Sequence, residues 1–276
     1  MKLKLSILLI IFANFYQEIL PIYSGLDSLL HTKDLQKLYD TGICPNCDLR
    51  NNHILFEYLP HSDLRGANLS GADTISSNFD YSDFTGAKLT ACRMNLVMLN
   101  NAKLNHVKAD KAIFRNAIFN NGSMKYAVLR EASLNGSEIK NTKFNFSILT
   151  NIDLQNVKAA GASFKNALLD NAMGSNGDFD LADFSGANAK RITLNKASLK
   201  EAILVKTNFT EANLQNTNFF KSNMTGTILK NASCTNASFT DVDLTTANLD
   251  GTDLSFADLY DAKVTDQKYA HIYLLF

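Results

Sequence analysis

Ala67-Asn68-Leu69-Ser70-Gly71 returns as Ala212-Asn213-Leu214-Gln215-Asn216 and again as Ala247-Asn248-Leu249-Asp250-Gly251. From Leu64 to Val264 every fifth residue falls in one register, and 35 of those 41 positions hold Leu, Phe, Met, Ile or Val. The position two residues earlier, Ala67, Ala72, Ser77, Ser82, Ala87, Cys92 and onward to Ala262, is almost always small. In an extended segment residues two apart share a face, so the small and the large residue point inward and the one between them faces solvent. The last two residues of each unit must turn a corner. Gly or Asn fills half of the 40 corner positions from Gly66 to Asp261, as expected where the backbone needs positive φ. A period this short, kept this long, makes an all-β solenoid.

Two irregularities support the inward assignment. Where the large position shrinks to Ala109 or Ala159, the small position of the same unit grows to Val107 or Val157. The exchange conserves interior volume, which a close-packed core tolerates better than a void.

These units resemble the pentapeptide-repeat family, whose consensus reads Ala, Asp or Asn, Leu, then two variable positions. The resemblance covers about three quarters of the chain and implies a right-handed, quadrilateral β-helix with one unit per side and 20 residues per coil. The Phe residues support that coil length independently. Phe84, Phe144, Phe164 and Phe184 fall on one side, and Phe79, Phe119, Phe179, Phe219 and Phe239 on its neighbour, so adjacent coils stack Phe on Phe. Ten coils at a strand spacing of ~4.8 Å give a rod roughly 48 Å long.

With 276 residues, 46% hydrophobic content and 20% charge, the chain is ordered and holds one domain with end covers. The expected divisions are a signal peptide over 1–24, a helical cap over 25–48, the β-helix over 49–265 and a closing segment over 266–276. Lys2 and Lys4 precede the apolar run Leu5 to Ala13, with a small-residue cleavage point at Ser24, so the chain reads as exported to the periplasm or beyond. The run is too short to span a membrane. A surface helix on a cytoplasmic protein is the competing reading. Leu29, Leu30, Leu35 and Leu38 alternate with charges and stop at Gly42, as one or two short amphipathic helices would. They would cover the raw first coil, and Tyr269 to Phe276 the last. A homodimer would form through such a terminal cap.

Cys44-Pro45-Asn46-Cys47-Asp48-Leu49 lies between helix and solenoid, with Cys47 and Leu49 already in register. The stretch from Leu38 to Leu49 resembles a leader found in some pentapeptide-repeat proteins: a helix, a Cys-x-x-Cys and an Asp-Leu that opens the first coil. In an exported protein Cys44 and Cys47 would most simply form a disulfide, and a reduced pair is the alternative. Zinc would require His53 and His61, which the register sets on different sides. Cys92 and Cys234 hold inward positions about seven coils apart and read as small buried hydrophobes.

The sequence contains no Gly-rich phosphate loop, no nucleophile elbow and no paired metal-binding histidines, so neither enzymatic activity nor a cofactor or metal is expected. Asp and Asn at outward positions, and sequons such as Asn68-Leu69-Ser70, follow from the repeat itself. Formal charge is zero, yet Lys88 to Lys165 carries twelve Lys or Arg against four carboxylates, and residues 231–262 carry six Asp with no Lys or Arg. That basic band suits an anionic partner.

The unit's middle position should be polar. In one column it reads Lys88, Lys108, Val128, Ile148, Leu168, Asn188 and Asn208. An apolar ladder beside lysines is what a binding patch would look like. The expected function is a non-catalytic exported scaffold presenting this face to a protein or an anionic surface polymer. The alternative drawn from the resemblance is the gyrase-protecting type, which imitates DNA. It requires an acidic cytoplasmic rod, whereas this chain is neutral overall and basic at its middle. DNA itself is not an expected partner, since no groove or interleaved exposed aromatics accompany the basic band.

Overall fold

The computed structural model describes residues 32–264. The signal segment expected over 1–24, the first residues of the cap and the closing segment over 266–276 lie outside the described residues.

Among the described residues one helix, α1 (Lys33–Thr41), precedes the rod. Thr32 caps it, its side chain accepting the Leu35 N–H at 3.2 Å, and Asp34 sits favourably in the first turn. Gly42 ends it in the left-handed region at φ 65°, its N–H donating to the Leu38 carbonyl. Leu35 and Leu38 are fully buried in the rod's core. Each is worth about 1.5–3 kcal/mol on burial, so Leu38→Asp would detach α1 and open the first coil.

The rod is a stack of parallel bridges between residues 20 apart, from Ile43 with Asp63 to Asp243 with Lys263. Four five-residue units, numbered as sides 1 to 4 in chain order, therefore complete each coil. Side 1 has the middle residues Asp63, Asp83 and Lys103, side 2 Asn68, Lys88 and Lys108, side 3 Asp73, Arg93 and Ile113, and side 4 Asn78, Met98 and Ile118. The middle residue's neighbours point inward and bury, as alternation demands. The first bridge already uses Ile43, so the Cys44–Cys47 segment belongs to the first coil rather than to a separate cap ending at residue 48. The reason is local: Cys44 and Cys47 themselves occupy the large and small inward positions, and both are buried.

Most corners close by a turn in which the next small residue donates to the carbonyl three residues back, as Ala67 N–H does to Leu64 at 3.1 Å, whereas the Glu57 and Ser62 N–H groups donate to Ser77 and Ser82 Oγ of the next coil. The second corner residue has φ between 53° and 72° throughout, in Leu, Tyr and Phe as well as Asn and Gly. Thr246 is the exception: it occupies that position without positive φ. A β-branched side chain is poorly tolerated in the left-handed region. The rung between Asn223 and Asp243 is missing beside it, and the Gly226 N–H donates instead to Thr246 Oγ1 at 2.9 Å.

Inside, Phe144, Phe164 and Phe184 stack at 5.1 and 4.7 Å on side 1, and Phe219 and Phe239 at 5.1 Å on side 4. Edge contacts such as Phe179 with Phe184 join the two columns. Gly174 stands where a large residue is expected because the space is already filled. A Cβ there would meet Leu194 Cδ2 at 2.8 Å and Phe179 Cζ at 3.2 Å. Hydroxyls at the small position satisfy carbonyls of the coil below, as Thr142 Oγ1 does for Phe119 at 2.8 Å. Cys92 Sγ lies in the same relation to Leu69 O, at 2.9 Å.

Candidate interaction surface

Lys88, Lys108, Val128, Ile148 and Leu168 form one unbroken column of side 2, each bridged to the next. Val128 and Ile148 are half-buried, and Leu168 is 42% exposed. The backbone beneath is fully engaged: Ile148 N–H donates to Ala127 O, and Leu149 N–H to Leu168 O. Only side chains are offered to a partner.

The adjoining corner, between sides 1 and 2, carries a second column that sequence reasoning missed, and it corrects the expectation that no exposed aromatics accompany the basic band. His106, Tyr126 and Phe146 lie ring on ring, with centroids 5.1 and 5.2 Å apart and planes within 7° of parallel. Tyr126 and Phe146 are about half exposed. All three have φ near 60°, which orders the side chains outward from the corner, one above another. The overlooked signal is the 20-residue recurrence of rings, the same spacing that aligned the core Phe residues. The preference of corner positions for Gly and Asn hides a side-chain column there. Phe56, Tyr58 and Phe256 are more exposed still, but they belong to the first and last coils.

Cations border the two columns. Along the rod, Lys103 pairs with Asp83 at 4.0 Å, Lys165 with Asp183 at 2.8 Å, and Arg130 with Asp110 at 3.6 Å. Arg93, Lys111 and Lys158 are likewise paired. Among the described residues, six cations of the basic band have no carboxylate within ion-pair distance. Lys88, Lys108, Lys125 and Lys143 lie on the two sides and the corner that make this edge, while Arg115 and Lys140 lie at other corners. Asn105 Oδ1 accepts from Ser123 Oγ at 2.6 Å and from the Lys125 N–H at 3.0 Å, which fixes the backbone of that rim.

The other singled-out residues lie elsewhere. Cys44 and Cys47 are disulfide-bonded beneath α1, with Cys44 Sγ 3.2 Å from the Asp34 carbonyl oxygen. The Asp48 N–H donates to Asp34 Oδ2 at 2.8 Å, tying helix to coil. The Arg50 side chain holds the Asp48 carboxyl down at about 2. His53 stands on side 3, whereas His61 occupies the corner between sides 4 and 1 and stacks on Tyr81 at 5.1 Å. Among the described residues no three His, Cys, Asp or Glu side chains cluster as metal ligands would. No described helix is long and apolar enough to cross a membrane.

A solved structure shares the fold. HetL, a pentapeptide repeat protein involved in heterocyst differentiation regulation in the cyanobacterium Nostoc sp. strain PCC 7120, is 22% identical over 86% of this chain and 98% of its own, with a TM-score of 0.61. QnrB1, a plasmid-mediated fluoroquinolone resistance protein, is 18% identical over 81% of this chain and 96% of its own, with a TM-score of 0.42. No curated protein is significantly similar in sequence. The family model for pentapeptide repeats matches in eight copies, over residues 59–95, 99–136, 137–173, 147–186, 182–226 and 227–266. The chain therefore belongs to the pentapeptide-repeat family.

Proposed function

We propose that the chain is a right-handed, four-sided β-helix, capped by α1, that acts as a non-catalytic interaction module. The rod presents the edge between sides 1 and 2 to another protein, with Val128, Ile148, Leu168, Tyr126 and Phe146 as its apolar centre and the lysines as its rim. The observation that carries this reading is the adjacency of the two columns: aliphatic and aromatic side chains stand side by side in two successive coils of mid-rod, Tyr126 with Val128 and Phe146 with Ile148. An apolar centre with a polar rim is the anatomy of a protein interface. A backbone held at every coil supplies pre-organisation, which lowers the cost of binding.

An anionic surface polymer could use the lysines, but it would leave the aliphatic column without a role. The gyrase-protecting alternative is disfavoured for the same reason that the edge is attractive, since unpaired cations at mid-rod oppose an imitation of DNA. Export is part of the proposal and is tested by fractionation with mass spectrometry of the N-terminus. The surface itself is tested by placing a photocrosslinking amino acid at Phe146 and, as a control, at Leu96 on the opposite edge. Adducts from position 146 alone support the reading; equal adducts from both, or from neither, contradict it.

A further inference from the structure

We infer that the occupant of this edge is an amphipathic α-helix of a partner protein, lying along the rod axis with acidic residues bordering its apolar stripe on the flank toward side 1 and at the end over Lys88 and Lys108. The inference rests on the docking reading above and adds the partner's chemistry and shape.

Shape comes from the spacing of the columns. Rings at the corner repeat every 5.1–5.2 Å, and coils repeat every ~4.8 Å. A helix laid along the axis repeats its turns every ~5.4 Å, so each turn meets about one coil. An extended strand brings side chains to one face every ~6.7 Å and falls out of step after a single coil. Strand addition also needs a free backbone edge. Here Val128 N–H donates to Val107 O and Leu129 N–H to Ile148 O, so the sides of the rod have no such edge. The distance from His106 to Leu168 spans three to four coils, which a helix covers in roughly twelve residues.

Charge selects the flanks. Lys125 at the corner and Lys143 on side 1 flank the apolar columns, whereas Lys88 and Lys108 continue the aliphatic column beyond Val128 toward the N-terminal end of the rod, and none has a carboxylate partner among the described residues. Acidic residues along that one flank and at that end of the helix would meet both pairs. A pair of copies joined through this edge by a two-fold axis parallel to the rods would instead set each of these lysines against its own counterpart. A polyanion that binds by base stacking would find the ring faces covered by their neighbours, since the planes lie 5° and 7° from parallel.

The test uses the full chain and a fluorescein-labelled 18-residue synthetic helix with a Leu stripe flanked by Glu, read by fluorescence anisotropy. Two control peptides carry Lys flanks or a permuted order that destroys the stripe. Saturable binding of the Glu helix, at least tenfold tighter than either control and at least tenfold weaker to the Tyr126→Asn/Phe146→Asn variant, is expected. Asn is the chain's own corner residue at φ near 57°, as at Asn151, so the variant keeps the fold. Lys125→Glu/Lys143→Glu, which leaves the core untouched, should reverse the preference toward Lys flanks.

The inference is overturned if the Glu helix does not bind, if the permuted peptide binds equally, or if the ring substitutions have no effect. It is also overturned by heparin binding that ignores the rings or by dimerisation through this edge. Crosslinking from position 146 without binding of the Glu helix sinks the helix and keeps the docking surface, whereas failure of both sinks both.

Discussion

Phe146 lies on Tyr126 with ring centroids 5.2 Å apart and planes 7° from parallel, although both residues hold the left-handed backbone that most side chains avoid. Such strain costs about 1 kcal/mol or more per residue, and an aromatic pair returns about 0.5–1.5 kcal/mol. The two nearly cancel. Tyr126→Asn and Phe146→Asn should therefore change unfolding free energy by less than about 1 kcal/mol each in urea melts, while binding at the edge weakens sharply. A large loss of stability would show that the rings serve the fold instead.

Thr246 gives a gain rather than a loss. Replacing it by Asn or Gly lets the corner take positive φ and restores the rung between Asn223 and Asp243. The expected stabilisation is roughly 1 kcal/mol, or a rise of about 2–4 °C in melting temperature for a chain of this size. An unchanged or lower melting temperature would show that the side chain is not what breaks the rung.

Gly174 and Phe179 form a size pair across the core. Gly174→Ala should cost about 1–3 kcal/mol by overpacking, because the new Cβ meets Leu194 and the Phe179 ring. Phe179→Leu should recover part of that cost. Additive losses in a double-mutant cycle would contradict the pairing.

Acid should weaken the rod through Asp183. Burial raises its pKa, but hydrogen bonds from Lys165 and Ser185 outweigh this and hold it below the ordinary 3.8. A carboxyl depressed in the folded state binds fewer protons there than when unfolded. Its contribution is therefore complete above the unfolded value and is lost as pH falls through the folded one. Lys165→Met should flatten the acid limb of stability against pH below about 4 and leave its shape near neutrality unchanged.

Thiol reactivity separates the four cysteines. Burial pushes the Cys92 thiol up to about 12 and raises that of Cys234 as well. The native chain should release no colour from a thiol reagent at pH 8, and the unfolded, unreduced chain should show two reactive thiols. Four would mean that Cys44 and Cys47 are reduced.

Residues 64–264 were legible because inward positions obey packing, and packing repeats: the Leu and Phe register, the Val107 and Ala109 exchange, and the Phe columns each announce the coil. The lysine and aliphatic column of side 2 was legible for the same reason, since a polar position turned apolar stands out at a 20-residue interval. His106, Tyr126 and Phe146 were not, because corner positions are chosen mainly by backbone conformation and their side chains point outward under little constraint. The start of the first coil was also obscured. Cys47 stands in register in the sequence, but Cys44, the large inward residue of that unit, belongs to a Cys-x-x-Cys whose spacing draws attention to sulfur chemistry instead of size. Gly174 stayed unexplained in one dimension because its space is filled by Phe179 from the next side.

The docking surface stands or falls on the affinity of the protein crosslinked from position 146, once purified, for the unaltered chain and for the Tyr126→Asn/Phe146→Asn variant. At least tenfold weaker binding to the variant, with melting temperatures within about 4 °C, is the expected result. Equal affinities would mean that the aromatic column is an ornament of the corner and that the rod binds elsewhere.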